Sequence, residues 1–139
     1  MHLNRATDIA LRILMFAGAR GSQVTIDELA AAMALPRNHV AKVVQRLQHH
    51  GFVVTARGRG GGVRLADGVL SSSAGHVVRY FEGDAEVVNC DEPPCPLRDV
   101  CRLRGALHVA QEAFFASLDE VPLTALVAPP TGPVLLSLT

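Results

Sequence analysis

Cys90, Cys95 and Cys101 fall within twelve residues, spaced C-x4-C-x5-C, and the chain has no other cysteine. The paired C-x2-C knuckles of zinc ribbons and the C-x-x-C of thioredoxin-like sites are both missing. Three soft thiolates at wider spacing suit an iron–sulfur centre wrapped by a loop. Pro93, Pro94 and Pro96 stiffen that loop, so less chain entropy is lost when it closes on metal. Arg98, Arg102 and Arg104 follow closely and can offset the negative charge of thiolates and sulfides. Three ligands leave one cluster iron incomplete. A residue, a cellular thiol or an open position can complete it. Unrelated thiols, or a regulatory disulfide between two of them, are the competing readings.

Such a loop needs a scaffold. At 139 residues, the chain has room for one compact domain with a dimerisation arm. Hydrophobic residues make up 49% and charged residues 19%, which supports a packed core rather than disorder. The net charge of zero hides a division. Residues 1–64 carry nine Lys/Arg against three Asp/Glu, a net +6, and residues 65–139 carry four against ten, a net −6. A basic half fits a polyanion-binding head. The most apolar N-terminal stretch, residues 9–19, contains Arg12 and is too short to span a bilayer. Asp8 before it argues against a secretory signal. A cytoplasmic chain with no membrane partner is expected, where thiols stay reduced. No Ser/His/Asp order or metal-hydrolase spacing points to an enzyme.

The periodicity predicts three helices. Ala6, Ile9, Ala10, Ile13, Leu14 and Ala17 form one apolar face, with Gly18 and Gly21 ending that helix. Thr25-Ile26-Asp27-Glu28 is a capping box that opens a short second helix. Pro36 suits the first turn of a third, buried through Val40, Val43, Val44 and Leu47 and stopped by Gly51. Residues 52–55 and 63–65 flank Arg57-Gly58-Arg59-Gly60-Gly61-Gly62 and predict a hairpin. His49 and His50 mark the helix end, and His76 is read as structural. From about residue 102 to 120, Leu103, Leu107, Ala110, Phe114 and Leu118 recur near a heptad seam. The expected fold is mainly α with a small β-hairpin: a winged helix-turn-helix plus a long dimerisation helix. The expected division is residues 1–82 for DNA binding, 83–101 for the cluster loop, 102–127 for the dimerisation helix and 128–139 for a flexible tail.

This order places the third helix in a major groove, with its N-terminal residues on base edges. Arg37, Asn38 and His39 stand there, and Arg and Asn can make paired hydrogen bonds to guanine and adenine. Lys42 and Arg46 suit phosphates. Arg57 and Arg59 arm the hairpin, and the bare backbone at Gly60 allows close approach to a minor groove. Taken alone, each could be an ordinary solvated residue. Their arrival in winged-helix order favours double-stranded DNA.

With these residues in hand, the chain resembles the iron–sulfur winged-helix repressors of the NsrR/IscR type over about residues 3–120. The resemblance rests on Thr25-Ile26-Asp27-Glu28-Leu29-Ala30, Leu35-Pro36, the helix end from Leu47 to Gly51, the run from Arg59 to Ala66, Phe81-Glu82-Gly83 and the three cysteines. It implies a bacterial homodimer. The members that regulate iron–sulfur biogenesis place a histidine where this chain has Arg104, which cannot ligate. The nitric-oxide-sensing members use three cysteines and an aspartate of the first helix from the other subunit; Asp8 matches that position. The resemblance thus implies a [4Fe-4S] cluster on Cys90, Cys95, Cys101 and Asp8, in a repressor that leaves its operator when nitric oxide attacks the cluster. Within its own helix Asp8 can instead pair with Arg12 or Arg5. His108 is the fallback ligand. A [2Fe-2S] redox or iron sensor of the same architecture is the alternative. An iron–sulfur or zinc electron-transfer or scaffold protein is the alternative of another class.

Overall fold

The computed structural model describes residues 2–138. Helix α1 spans Arg5–Arg20, α2 Ile26–Met33 and α3 Arg37–His49. Strands β1, Val53–Ala56, and β2, Gly62–Leu65, pair antiparallel, with Val53 opposite Leu65. Helix α4 covers Ala74–Glu82 and α5 Arg102–Asp119; the short α6, Leu123–Leu126, and α7, Thr131–Leu136, follow. The fold is thus mainly helical with one hairpin, as the residue pattern predicts.

Local chemistry sets each boundary. The Asn4 side chain accepts from the Thr7 N–H and caps α1. In the capping box the Thr25 hydroxyl accepts from Glu28 N at 3.1 Å, and the Glu28 carboxylate accepts from Thr25 N at 2.7 Å. These bonds hold the Glu28 carboxyl below its ordinary pKa. The depressed value means the box stabilises the fold above the ordinary carboxylate range and loses that contribution as pH falls through the folded value. Thr25→Ala is expected to cost about 1 kcal/mol, read as a lower urea midpoint at neutral pH. Ala34 turns the chain between α2 and α3 in the left-handed region, at φ 51°, which lets Leu35 N reach Ala30 O at 3.0 Å. Pro36 stands one position earlier than expected, as the N-cap of α3, and its carbonyl accepts from His39 and Val40.

The core gathers on α1. Ile9, Ile13, Leu14 and Phe16 pack with Leu29, Val40, Leu47, Phe52, Val63 and Val77, all nearly sealed from solvent. Burying a side chain of the Leu or Phe class contributes about 1.5–3 kcal/mol. The hairpin is pinned to this core: Val24 and Val63 exchange both backbone hydrogen bonds, at 2.8 and 2.6 Å.

Three expectations need correction. Gly18 does not end α1, which runs on to a left-handed Gly21 cap. Gly18 instead marks a close approach, since a Cβ there would sit 3.0 Å from Leu70 Cδ2 and 3.3 Å from Val127 Cγ1. The long C-terminal helix ends at Asp119, as its 102–120 periodicity predicts, but the expected dimerisation helix does not run on to residue 127, because Pro122 has no N–H to continue it and α6 begins afresh. The expected flexible tail, residues 128–139, is not loose over its described part, residues 128–138, either. Thr131–Leu136 are helical and lie against α1, with Leu135 on the core. The prolines that suggested looseness lie before and within the first turn of that helix, where the missing N–H costs nothing.

Candidate metal centre and nucleic-acid interface

Between α4 and α5 the chain is a series of turns. Gly83 starts it, closing α4 at φ 68°, ψ −160°, a conformation open essentially to glycine alone. The Asn89 side chain accepts from Asp91 N and Glu92 N at 3.0 and 3.1 Å. Cys95 N bonds Cys90 O at 3.0 Å, and Arg98 N bonds Cys95 O at 3.2 Å. Loop ends are tied to α5 by Gln111, which donates to Ala85 O, and by Arg104.

All three cysteines are free thiols and half-buried. Cys101 is the N-cap of α5, its Sγ accepting from Arg104 N at 3.4 Å. Burial pushes the Cys90 thiol up, and Cys95 and Cys101 push it the same way while Arg104 pulls it down. Among the described residues no three His, Cys, Asp or Glu side chains converge on a single ion. A cubane cluster spreads its ligand atoms wider than one ion does, and three free, half-buried thiols on one turn-rich loop fit that donor set.

Asp8 does not join the cysteines of its own chain. Its Oδ1 meets Arg12 Nε at 2.9 Å, both side chains about half exposed, the helical pairing that the sequence offered as the alternative. At that exposure the pair is worth well under 1 kcal/mol and is easily exchanged. The arginines expected to offset cluster charge are mostly engaged. Arg104 grips Glu86 with two bonds, at 2.6 and 2.8 Å, and Arg98 meets Asp91 at 2.9 Å. Arg102 alone of the three has no ion pair among the described residues. Fallback ligand His108 lines an open cleft of about 350 Å³ with Cys101, Arg104 and Glu86.

Glu82, to which the sequence assigns no role, links the two halves. Its Oε1 accepts from Asn4 N at 2.9 Å and from the buried Thr7 hydroxyl, and Asn4 Nδ2 donates to Phe81 O at 2.9 Å. The helix that carries Asp8 is thereby fastened to the last turn before the cysteine loop. Asn4 is legible beforehand as an N-cap. Glu82 is not, because its partners lie more than seventy residues away.

On the basic side, Arg37 and Asn38 are exposed at the start of α3, and His39 is half-buried with its Nδ1 unpartnered. Arg37 pairs with Asp27 at 2.7 Å, a contact in which both side chains are exposed. Lys42, Arg57 and Arg59 are exposed and carry no ion pair among the described residues. Arg46 lies over the Phe81 ring, 4.3 Å from its centroid. A guanidinium stacked by its face still presents N–H groups at its edge. Gly60 sits at the hairpin tip, its carbonyl accepting from the Gln23 amide.

A reading helix beside a glycine-tipped basic hairpin defines a winged-helix transcriptional regulator. The comparisons narrow this. The chain belongs to the Rrf2 family: a family model described as an iron-dependent transcriptional regulator matches residues 3–129. It is 52% identical to the HTH-type transcriptional repressor NsrR of Streptomyces coelicolor, over 100% of this chain and 97% of that protein. It is 40% identical to the HTH-type transcriptional regulator NsrR of Geobacillus kaustophilus, over 91% and 90%. Among solved structures, T. potens IscR superposes with a TM-score of 0.70 at 17% identity, covering 91% of this chain and 86% of that one. Staphylococcus aureus CymR gives 0.66 at 20% identity, covering 87% and 93%. These structural likenesses establish the shared fold. No described helix is long and apolar enough to cross a membrane.

Because Arg59 is solvent-facing with no ion pair to break, Arg59→Ala is expected to weaken DNA binding without unfolding the head. The slope of log affinity against log salt should fall by about 1, measured by fluorescence anisotropy over a salt series.

Proposed function

We propose that the chain is a nitric-oxide-responsive transcriptional repressor that binds operator DNA as a homodimer. Cys90, Cys95 and Cys101 hold a [4Fe-4S] cluster, with Asp8 of the partner subunit as fourth ligand. The observation that carries this reading is the trio of free, half-buried thiols on one loop, fastened through Glu82 to the helix bearing Asp8. The 52% identity to a protein named as an NsrR repressor supports the choice of signal. When bound, the cluster supplies iron that reacts with nitric oxide.

The chain's own residues do the rest. Leu103 and Val109 on α5 are 65% and 69% exposed, and only Phe115 of that helix is buried in one subunit. This apolar surface packs against its copy in a two-fold dimer. Arg37, Asn38 and His39 read bases; Lys42 and Arg46 meet phosphates; Arg57, Arg59 and Gly60 enter the minor groove. Asp8, reaching across the dimer, ties one head to the other subunit's loop and fixes the spacing of the two reading helices. On losing that bond Asp8 returns to Arg12 and the heads are free to shift. A loss of about 3–4 kcal/mol lowers operator affinity a few-hundredfold.

One anaerobic preparation tests this. About four irons and four sulfides per chain, with operator release on adding nitric oxide, are expected. About two of each, with release on oxidation instead, would assign a [2Fe-2S] sensor. A colourless protein that cannot be reconstituted with iron and sulfide would remove the cluster from the account.

A further inference from the structure

The reading helix ends against α4 through two imidazoles. His50, the C-cap of α3, stacks on Tyr80, with ring centroids 3.9 Å apart and planes 24° from parallel. Phe52 flanks it at 4.8 Å. Held this way, its edge faces His76 of α4, and the two Nε2 atoms lie 3.3 Å apart. The Nδ1 of His76 is 3.2 Å from the Ser72 hydroxyl, just before the Ser73 cap of α4. Ser72 can accept the Nδ1–H, which leaves the lone pair of His76 on Nε2. This is the arrangement by which an outer partner orients a metal-bound histidine.

A hydrogen bond between the rings would use one lone pair. A divalent ion uses both. In a tetrahedral zinc site with Zn–N of about 2.0–2.1 Å, two ligand nitrogens stand about 3.3–3.4 Å apart. The two Nε2 atoms already have that separation, and both side chains are open to solvent, so an ion can enter. Imidazole pairs suit late divalent transition metals better than magnesium or calcium, which take oxygen ligands.

We propose that His50 and His76 form a second metal site, distinct from the cysteine loop: a two-imidazole clamp for a borderline divalent ion such as zinc, completed by water. With two neutral protein ligands the site binds more weakly than a four-ligand structural site. Its occupant cross-links the end of the reading helix to α4, whose last residues, Phe81 and Glu82, hold the start of α1. Metal there stiffens the seat of the reading helix. None of this depends on the nitric-oxide reading.

Thiols also bind zinc, so the test removes them. The full chain carrying Cys90→Ser, Cys95→Ser and Cys101→Ser is titrated with zinc by calorimetry. One ion per chain is expected. Adding His76→Gln, or His50→Phe, which keeps a ring on Tyr80, should weaken binding at least tenfold. No zinc uptake by the folded serine variant overturns the site, as does uptake unchanged by either substitution. If the serine variant does not fold, zinc-edge X-ray absorption on the wild-type chain decides. An imidazole signature that His76→Gln abolishes supports the clamp. A sulfur-only shell, or an imidazole signature that persists in His76→Gln, overturns it.

Discussion

Cys101→Ser is expected to yield a colourless protein under anaerobic purification, with no iron–sulfur absorbance and operator affinity lower by about two orders of magnitude. A serine hydroxyl is a harder, far less acidic donor than a thiol. The position matters as much as the atom. Cys101 Sγ caps the first turn of α5, where it already accepts from Arg104 N. Serine is a good N-cap, so the helix should keep its start and the fold its stability. That separates ligation from folding: unchanged far-ultraviolet circular dichroism with lost colour is the expected pair of results. Cys90→Ser and Cys95→Ser should behave alike. A normal cluster spectrum in any of the three would strike that sulfur from the ligand set.

Asp8→Ala is expected to keep part of the cluster and lose much of the coupling between cluster state and DNA. A carboxylate is the weakest of the four proposed ligands, so its removal leaves three thiolates in place. The head then loses its tie to the other subunit's loop. A coupling of about 3–4 kcal/mol, or a few-hundredfold in operator affinity, should shrink towards none. The measurement is operator affinity of loaded and apo protein, for wild type and variant. Folding should barely change, since the exposed pair with Arg12 contributes well under 1 kcal/mol. Equal coupling in the two proteins would defeat the bridge.

The order of elements in the DNA-binding head was legible in the sequence because each boundary is local. The capping box, Pro36, the valine stripe and the glycine-rich hairpin tip lie within a few residues of what they determine. The three cysteines were legible for the same reason. What escaped was non-local. Glu82 acquires its meaning from Asn4 and Thr7, and the His50–His76 contact from the meeting of α3 and α4. The arginines near the cysteines were readable as positive charge, but their carboxylate partners Glu86 and Asp91 were not. Composition misread the C-terminal stretch, because its prolines fall where a short helix tolerates them and its leucines find α1. Asp8 stood between a local reading and one that spans two subunits. A single subunit displays the Arg12 pair, while the ligand reading concerns a second copy.

The seating of Thr131–Leu136 on α1 has a bearing on biosynthesis. Helix α1 is covered on one side by α7, more than a hundred residues further along the chain. Helix α1 therefore cannot complete its packing until Thr131–Leu136 have emerged from the ribosome, and until then its apolar back stays open to chaperones.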